Sequence, residues 1–200
     1  MPRRGAGRPE PRDGQRDLGP TADPDSVART ILLTKLTARP RSRHELGDAL
    51  AARGVPDDVA TRVLDRFEQV GLIDDAAFAE GWVRSRQVGR GLSRRVLAQE
   101  LRRKGVDRDV VSHSVAAISA DDERQAAHEV VVKKLPSLRR LDDDVRFRRL
   151  LAMLARRGYP PGRAVEVIRS ALADRRVVDD GAEMLDRFDG STYGGPHESP

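Results

Sequence analysis

The sequence predicts an all-α fold of three tandem three-helix repeats, forming an elongated, curved, right-handed or solenoid-like array. Three observations carry this expectation. Charged residues make up 34% of the 200-residue chain and aromatics only 4%. A core must therefore be built from Leu, Val, Ile and Ala, which suits helix packing better than a β-sandwich. Apolar residues recur at helical spacing between capping residues and glycine stops. A landmark also returns, at Arg53-Gly54, Lys104-Gly105 and Arg157-Gly158, 51 and 53 residues apart. Eight and four residues before each Gly stands a Leu (Leu46 and Leu50, Leu97 and Leu101, Leu150 and Leu154), and ten after it Leu64, Val115 or Ile168. Each unit has an apolar face that it cannot bury alone, so neighbours are expected to stack.

Residues 1–24 contain five Pro, four Gly and almost nothing apolar, and read as a disordered arm. The first repeat, 25–73, opens at the cap Asp25-Ser26, with Val27, Ala28, Ile31, Leu32 and Leu36 in a stripe stopped by Pro40. Ser42 with Glu45 forms an S-x-x-E capping box for a second helix ending at Gly54. Pro56-Asp57 begins a third, with Ala60, Val63, Leu64 and Phe67 inward. The second repeat, 74–120, starts from the cap Asp74-Asp75 with Phe78, Ala79, Trp82 and Val83 on one face. Gly89-Arg90-Gly91 reads as a connector to a helix capped by Ser93, whose stripe is Leu97, Ala98 and Leu101. A further helix from about Asp107 uses Val111, Val115 and Ile118. In the third repeat, 121–172, Asp121-Asp122 opens a helix that runs to Leu135. The triplet Asp142 to Asp144 starts the next, where carboxylates meet the positive end of the helix dipole. Pro160-Pro161 starts the last, with Ala164, Val167, Ile168 and Ala171. Residues 173–200 read as an acidic, disordered tail.

Chemistry at a catalytic centre finds little support. The four His residues are scattered, and no phosphate-binding, nucleophile-elbow or dinucleotide motif occurs. The paired aspartates fall at helix starts, where capping accounts for them better than a metal does. There are no cysteines, which excludes disulfides, Cys–Zn sites and thiol catalysis. We expect no cofactor and no metal. No apolar run approaches the ~18 residues of a membrane span, and the basic start has no apolar core of a secretion signal. A cytoplasmic monomer is the expectation.

Charge is the functional lead. The net charge is +5, with +1 on residues 1–24 and −4 on 173–200, so that the interior, 25–172, carries +8. Nine cations lie between Trp82 and Arg108 (Arg84, Arg86, Arg90, Arg94, Arg95, Arg102, Arg103, Lys104 and Arg108), opposed only by Glu100 and Asp107. A second cluster holds Arg139, Arg140, Arg146, Arg148, Arg149, Arg156 and Arg157. Charge runs are commonly no more than solvated faces, yet this local excess favours contact with a polyanion or an acidic protein surface. Arginine dominates, and its planar fork suits phosphates and carboxylates. Arg148, Arg149, Arg156 and Arg157 join the first nine as candidate binding residues. Trp82 reads as core, and Tyr159, just after a helix stop, as the exposed aromatic.

The central stretch has D-D-x-x-F-A at Asp74 to Ala79, W-V-R-S-R at Trp82 to Arg86, Gly89 to Gly91, and S-R-x-x-L-x-x-E-L-x-x-K-G-V at Ser93 to Val106. It resembles the RecX family, regulators of the bacterial recombinase RecA. Ser42 to Val55 is similar to that family's first repeat, and Arg156 to Tyr159 to its third. The resemblance spans about residues 25–172; the first 24 and last 28 residues lie outside it. It implies three tandem three-helix repeats and a non-enzymatic modulator lying in the groove of the RecA–single-stranded-DNA filament. There it would limit filament growth, ATP hydrolysis, strand exchange and coprotease activity. The alternative is a stand-alone, sequence-nonspecific DNA-binding repeat protein. The site assignments rest on charge alone, since the resemblance transfers no catalytic motif.

Overall fold

The structure, a computed structural model, describes residues 23–174. The expected arm and tail therefore fall almost wholly outside the described residues. Among those described there are nine α-helices, one 3₁₀ turn and no strand. The helices are α1 (Pro24–Ala38), α2 (Arg43–Ala51), α3 (Asp57–Gln69), α4 (Asp75–Arg90), α5 (Arg94–Arg103), α6 (Arg108–Ala116), α7 (Ala120–Lys134), α8 (Asp143–Arg156) and α9 (161–174). The 3₁₀ turn, Leu135–Leu138, continues α7. They group as three successive three-helix units, and the all-α repeat fold expected from the sequence is the one found.

Each unit builds its own core. Leu32, Leu46, Leu50 and Phe67 centre the first, Ala79, Leu97, Leu101 and Val111 the second, and Val131, Leu150, Leu154 and Ile168 the third. The paired leucines before each landmark Gly are fully buried in all three. The expectation that each unit leaves an apolar face for its neighbour is not met. The three apolar clusters are separate, so Leu97 and Leu101 hold the second unit together, not the array. Three helices per unit already bury the stripes against each other, and polar groups supply the hydrogen bonds and ion pairs at the joints, where Gly91 also packs closely on Val130.

The landmark glycines end α2, α5 and α8 in one way. Gly54, Gly105 and Gly158 have φ of 71°, 71° and 88°, a left-handed conformation that glycine adopts without Cβ strain. The next residue then donates its N–H back to a Leu carbonyl: Val55 to Leu50, Val106 to Leu101 and Tyr159 to Leu154. That turn drives the side chain after the Gly into the core. Tyr159, expected to be exposed, is therefore 3% exposed, and its hydroxyl donates to the Glu123 carbonyl. Burial, with Glu123 adding to it, pushes the phenol up to about 12.

Several starts differ from the sequence reading. Asp23 caps α1, accepting from the N–H groups of Asp25 and Ser26, and Pro24 is its first residue. Ser119 caps α7 in a capping box with Asp122, so the aspartate pair lies inside the first turn. Asp142 sits at the start of α8 without a side-chain cap bond. Gly89 and Arg90 belong to α4; only Gly91, with φ of 57°, leaves the helix.

Candidate partner-binding surface and the joints beneath it

The joints between units use the Ser-Arg pairs that begin α2 and α5. At the first joint Ser42 Oγ donates to the Lys104 carbonyl at 2.6 Å, and the Arg43 N–H donates to Asp75 Oδ1 at 2.8 Å. Lys104 Nζ reaches back to Glu45 Oε1 at 2.8 Å, with both side chains less than one-fifth exposed. At the second joint the Ser93 N–H donates to the Arg157 carbonyl at 3.0 Å, and the Arg94 N–H to Glu123 Oε1 at 2.8 Å. The same device thus occurs twice. A serine cap rests on the last turn of a helix in the next unit, and a carboxylate from that unit meets the first free N–H.

Electrostatics explains the second carboxylate. The first turn of α5 carries Arg94 and Arg95 and no acid, an arrangement that the helix dipole disfavours by about 0.3–1 kcal/mol per charge. Glu123, buried at 8% exposure, supplies the missing negative charge from α7. It also accepts from Arg94 Nε at 3.3 Å and Arg163 Nη1 at 3.4 Å. At the first joint two carboxylates behave oppositely. Burial pushes the Glu45 carboxyl up, but Lys104, the Ser42 N–H and Arg39 outweigh it and hold it below its ordinary value. Burial dominates at Asp75 and raises its carboxyl despite the Arg43 N–H.

These joints absorb part of the expected binding set. Lys104 pairs with Glu45 and lies 4.3 Å from the Trp82 ring centroid. The Arg86 guanidinium lies equally close to that ring, and Arg86 is 4.0 Å from Glu100. Trp82, half-buried, donates its indole N–H to Glu100 Oε2 at 2.9 Å. It belongs to this polar edge of the second core. Arg94 is held by Glu123, and Arg157 Nε donates to the Arg90 carbonyl at 3.0 Å. Arg146, in the wider third-unit cluster, donates to the carbonyls of Leu138, Arg139 and Leu141 and so staples the 3₁₀ turn to α8.

The rest stay in solvent. Arg84, Arg90, Arg95, Arg102, Arg103, Arg108, Arg148, Arg149 and Arg156 are exposed and form no ion pair among the described residues. Arg95 and Arg102, seven residues apart on α5, share one face of that helix, opposite the buried Leu97 and Leu101. Arg149 and Arg156 stand in the same relation on α8. Arg108 opens α6, again at the positive end of a helix dipole. Sequence reasoning did not find Glu123 or Glu45 as organisers of this surface. Charge counting looks for excess cations and passes over the carboxylates that sort them into paired and unpaired sets.

Comparison with known proteins agrees with this geometry. Three RecX family models match the chain: the first three-helix domain at residues 28–67, the second at 74–114 and the third at 121–172. Relatives described as "Regulatory protein RecX" include one from Streptomyces lividans, 49% identical over 78% of this chain and 82% of its own length. Another, from Thermobifida fusca, is 47% identical over 90% of this chain and 96% of its own. A third, from Mycobacterium ulcerans, is 50% identical over 79% and 95%. The crystal structure of RecX from Lactobacillus salivarius superposes with a TM-score of 0.65 at 18% identity, over 75% of this chain and 97% of that one, and shares the fold. With three matching domains in order and relatives near half-identical over most of their length, the chain belongs to the RecX family of regulatory proteins.

Proposed function

We propose that this chain regulates the RecA recombinase by binding in the groove of the RecA–single-stranded-DNA filament. There it limits filament extension, ATP hydrolysis, strand exchange and coprotease activity. The observation that carries the reading is the unpaired arginine face of α5, with Arg95 and Arg102 in solvent while the neighbouring Arg94 and Lys104 are tied into joints. Leaving an arginine unpaired near a helix N-terminus, as at Arg95 and Arg108, works against the fold, so an external anion is the natural counterpart. Arg84, on α4, and the α8 pair Arg149 and Arg156 extend the unpaired set into the units' other helices. Their forks suit the carboxylates of a protein groove and the phosphates within it.

The test is a titration of pre-formed RecA filaments with the full chain. ATP hydrolysis is expected to fall at substoichiometric ratios, and the filament to bind more tightly than bare single-stranded DNA. Tight binding to bare DNA with RecA ATP hydrolysis unchanged throughout would instead identify a stand-alone DNA-binding protein.

A further inference from the structure

A cleft of about 240 Å³ lies where α4 ends against α7 and α8, at the second joint. Its apolar part is Val88, Val130 and Met153, and Val88 is 77% exposed, the most open large apolar residue described. Around these stand Arg90, Lys133, Lys134 and Arg157, with Glu129 the one acid in the lining. Glu129 approaches Lys133 at 3.9 Å, so three positive charges remain in excess. The close packing that makes the cleft is local. A Cβ on Gly91 would come within 2.4 Å of Val130, so the end of α4 lies directly on α7.

The opposite pattern lies in the chain that follows α9. Residues 179–189 read DDGAEMLDRFD, five acids against one arginine, with Met184, Leu185 and Phe188 at i, i+1 and i+4. Asp174, at the last described position, lies against α7, where its Oδ2 is 3.0 Å from His128 Nε2. His128 is on the face of α7 away from the cleft, so the chain must pass around one helix, about 10–12 Å across. The ten residues from Asp174 to Met184 span up to about 33 Å when extended, which is ample.

We propose that the acidic segment 179–189 docks in this cleft within the same molecule. Its apolar residues would cover Val88, and its carboxylates would meet Arg90, Lys133, Lys134 and Arg157. This is recognition of an acidic amphipathic segment by an apolar groove with a basic rim. Tethering raises the local concentration of the segment to about the millimolar range, so weak contacts suffice. A docked segment screens Arg90 and Arg157 from an outside anion. The proposal stands whether or not the array binds a filament.

The chain has no cysteine, which allows a clean cross-linking test in the full-length protein. Val88→Cys with Phe188→Cys is compared with Leu33→Cys with Phe188→Cys; Leu33 is exposed on α1 in the first unit. Under mild oxidation the Val88 pair is expected to close an intramolecular disulfide roughly tenfold faster than the Leu33 pair, reflecting local concentration. Adding Lys133→Glu and Lys134→Glu should remove most of that advantage, with far-ultraviolet circular dichroism unchanged. Equal rates for the two pairs would overturn the proposal. So would failure of Val88→Cys to close with cysteine at 184, 185 or 188, or closure only between molecules.

Discussion

Ser42 and Lys104 meet across 62 residues of chain: the serine hydroxyl that caps α2 also donates to the lysine carbonyl at the end of α5. One side chain thus starts a helix in the first unit and fixes that unit to the second. Ser42→Ala is expected to remove both the cap and the joint bond, each worth about 1 kcal/mol. Ser119→Ala removes an exposed cap with no inter-unit bond and is expected to cost about 1 kcal/mol. Urea unfolding of the two variants checks the difference. Equal losses would mean that the Ser42 hydroxyl contributes nothing across the joint.

Two of the landmark glycines make a sharper comparison. Gly54 and Gly105 share φ of 71°, but a Cβ on Gly54 meets open space whereas one on Gly105 would sit 2.2 Å from His44 Cγ. Gly54→Ala should cost only the left-handed strain, about 1–2 kcal/mol. Gly105→Ala should add about 1–3 kcal/mol of overpacking. The single Trp gives a second readout, because Lys104, next to Gly105, lies over its ring. Trp82 emission is expected to shift in the folded Gly105→Ala protein and to stay unchanged in Gly54→Ala.

The pH response of the first joint follows from its two carboxylates. The folded-state carboxyl of Glu45 is depressed. Its contribution is therefore present above the ordinary carboxylate range and lost as pH falls through its lowered folded value. Asp75 is raised, so its ionisation weakens the fold as pH climbs from the ordinary range through its folded value. Glu45→Gln is expected to destabilise at neutral pH by about 1–2 kcal/mol and to flatten the acid limb of the stability curve. Asp75→Asn keeps an acceptor for the Arg43 N–H and should be neutral or slightly stabilising at pH 7. Denaturation midpoints between about pH 3 and 7 would show it, given unperturbed carboxylates near 4.

Much of this fold was legible because its repeats are marked by local chemistry. The leucine pairs, the Ser-Arg starts and the basic-Gly stops each have a reading within a single helix, and all three recur. Their second role was not legible. Spacing inside a unit does not report that Ser42 would meet Lys104 or that Ser93 would meet Arg157. Tyr159 is a different case, since the position after the landmark Gly holds Val55 and Val106 in the other units, both buried. Aligning the repeats one residue further would have placed the tyrosine inside. Membership of the cationic surface was legible only as a sum. Sorting Arg94 from Arg95 required knowing that Glu123, 29 residues away, reaches the start of α5.

That sorting changes which arginines to mutate. Arg95→Glu with Arg102→Glu reverses two exposed charges on one face of α5 and leaves the joints intact. It is expected to weaken binding to RecA filaments and to bare DNA with little net change in unfolding midpoint, because an acid at position 95 suits the dipole at the start of α5 while one at position 102, in its last turn, opposes it. On single-stranded DNA, loss of two phosphate contacts should reduce the log–log salt slope by about 1.4. An unchanged slope and unchanged inhibition of RecA ATP hydrolysis would remove this face from the proposed contact. Arg94→Glu is expected to weaken binding only through destabilisation, since it places a second acid beside buried Glu123.

Glu123 deserves the most searching experiment because three donors converge on it: the Arg94 N–H, Arg94 Nε and Arg163 Nη1. The carboxylate is buried while the two arginine side chains remain one-third or more exposed. Removing the acid therefore leaves hydrated cations, whereas removing the arginines leaves a buried negative charge. Arg94→Met with Arg163→Met is accordingly expected to cost more than Glu123→Gln, by roughly 1 kcal/mol or more. Gln keeps an acceptor for the Arg94 N–H, so its own cost should stay near 1–2 kcal/mol. The triple variant should be more stable than the sum of the separate losses implies, because neither partner is then stranded. Additive losses in urea would show that Glu123 acts on the α5 N-terminus alone, through the Arg94 N–H, and that the two guanidinium groups contribute nothing to the second joint.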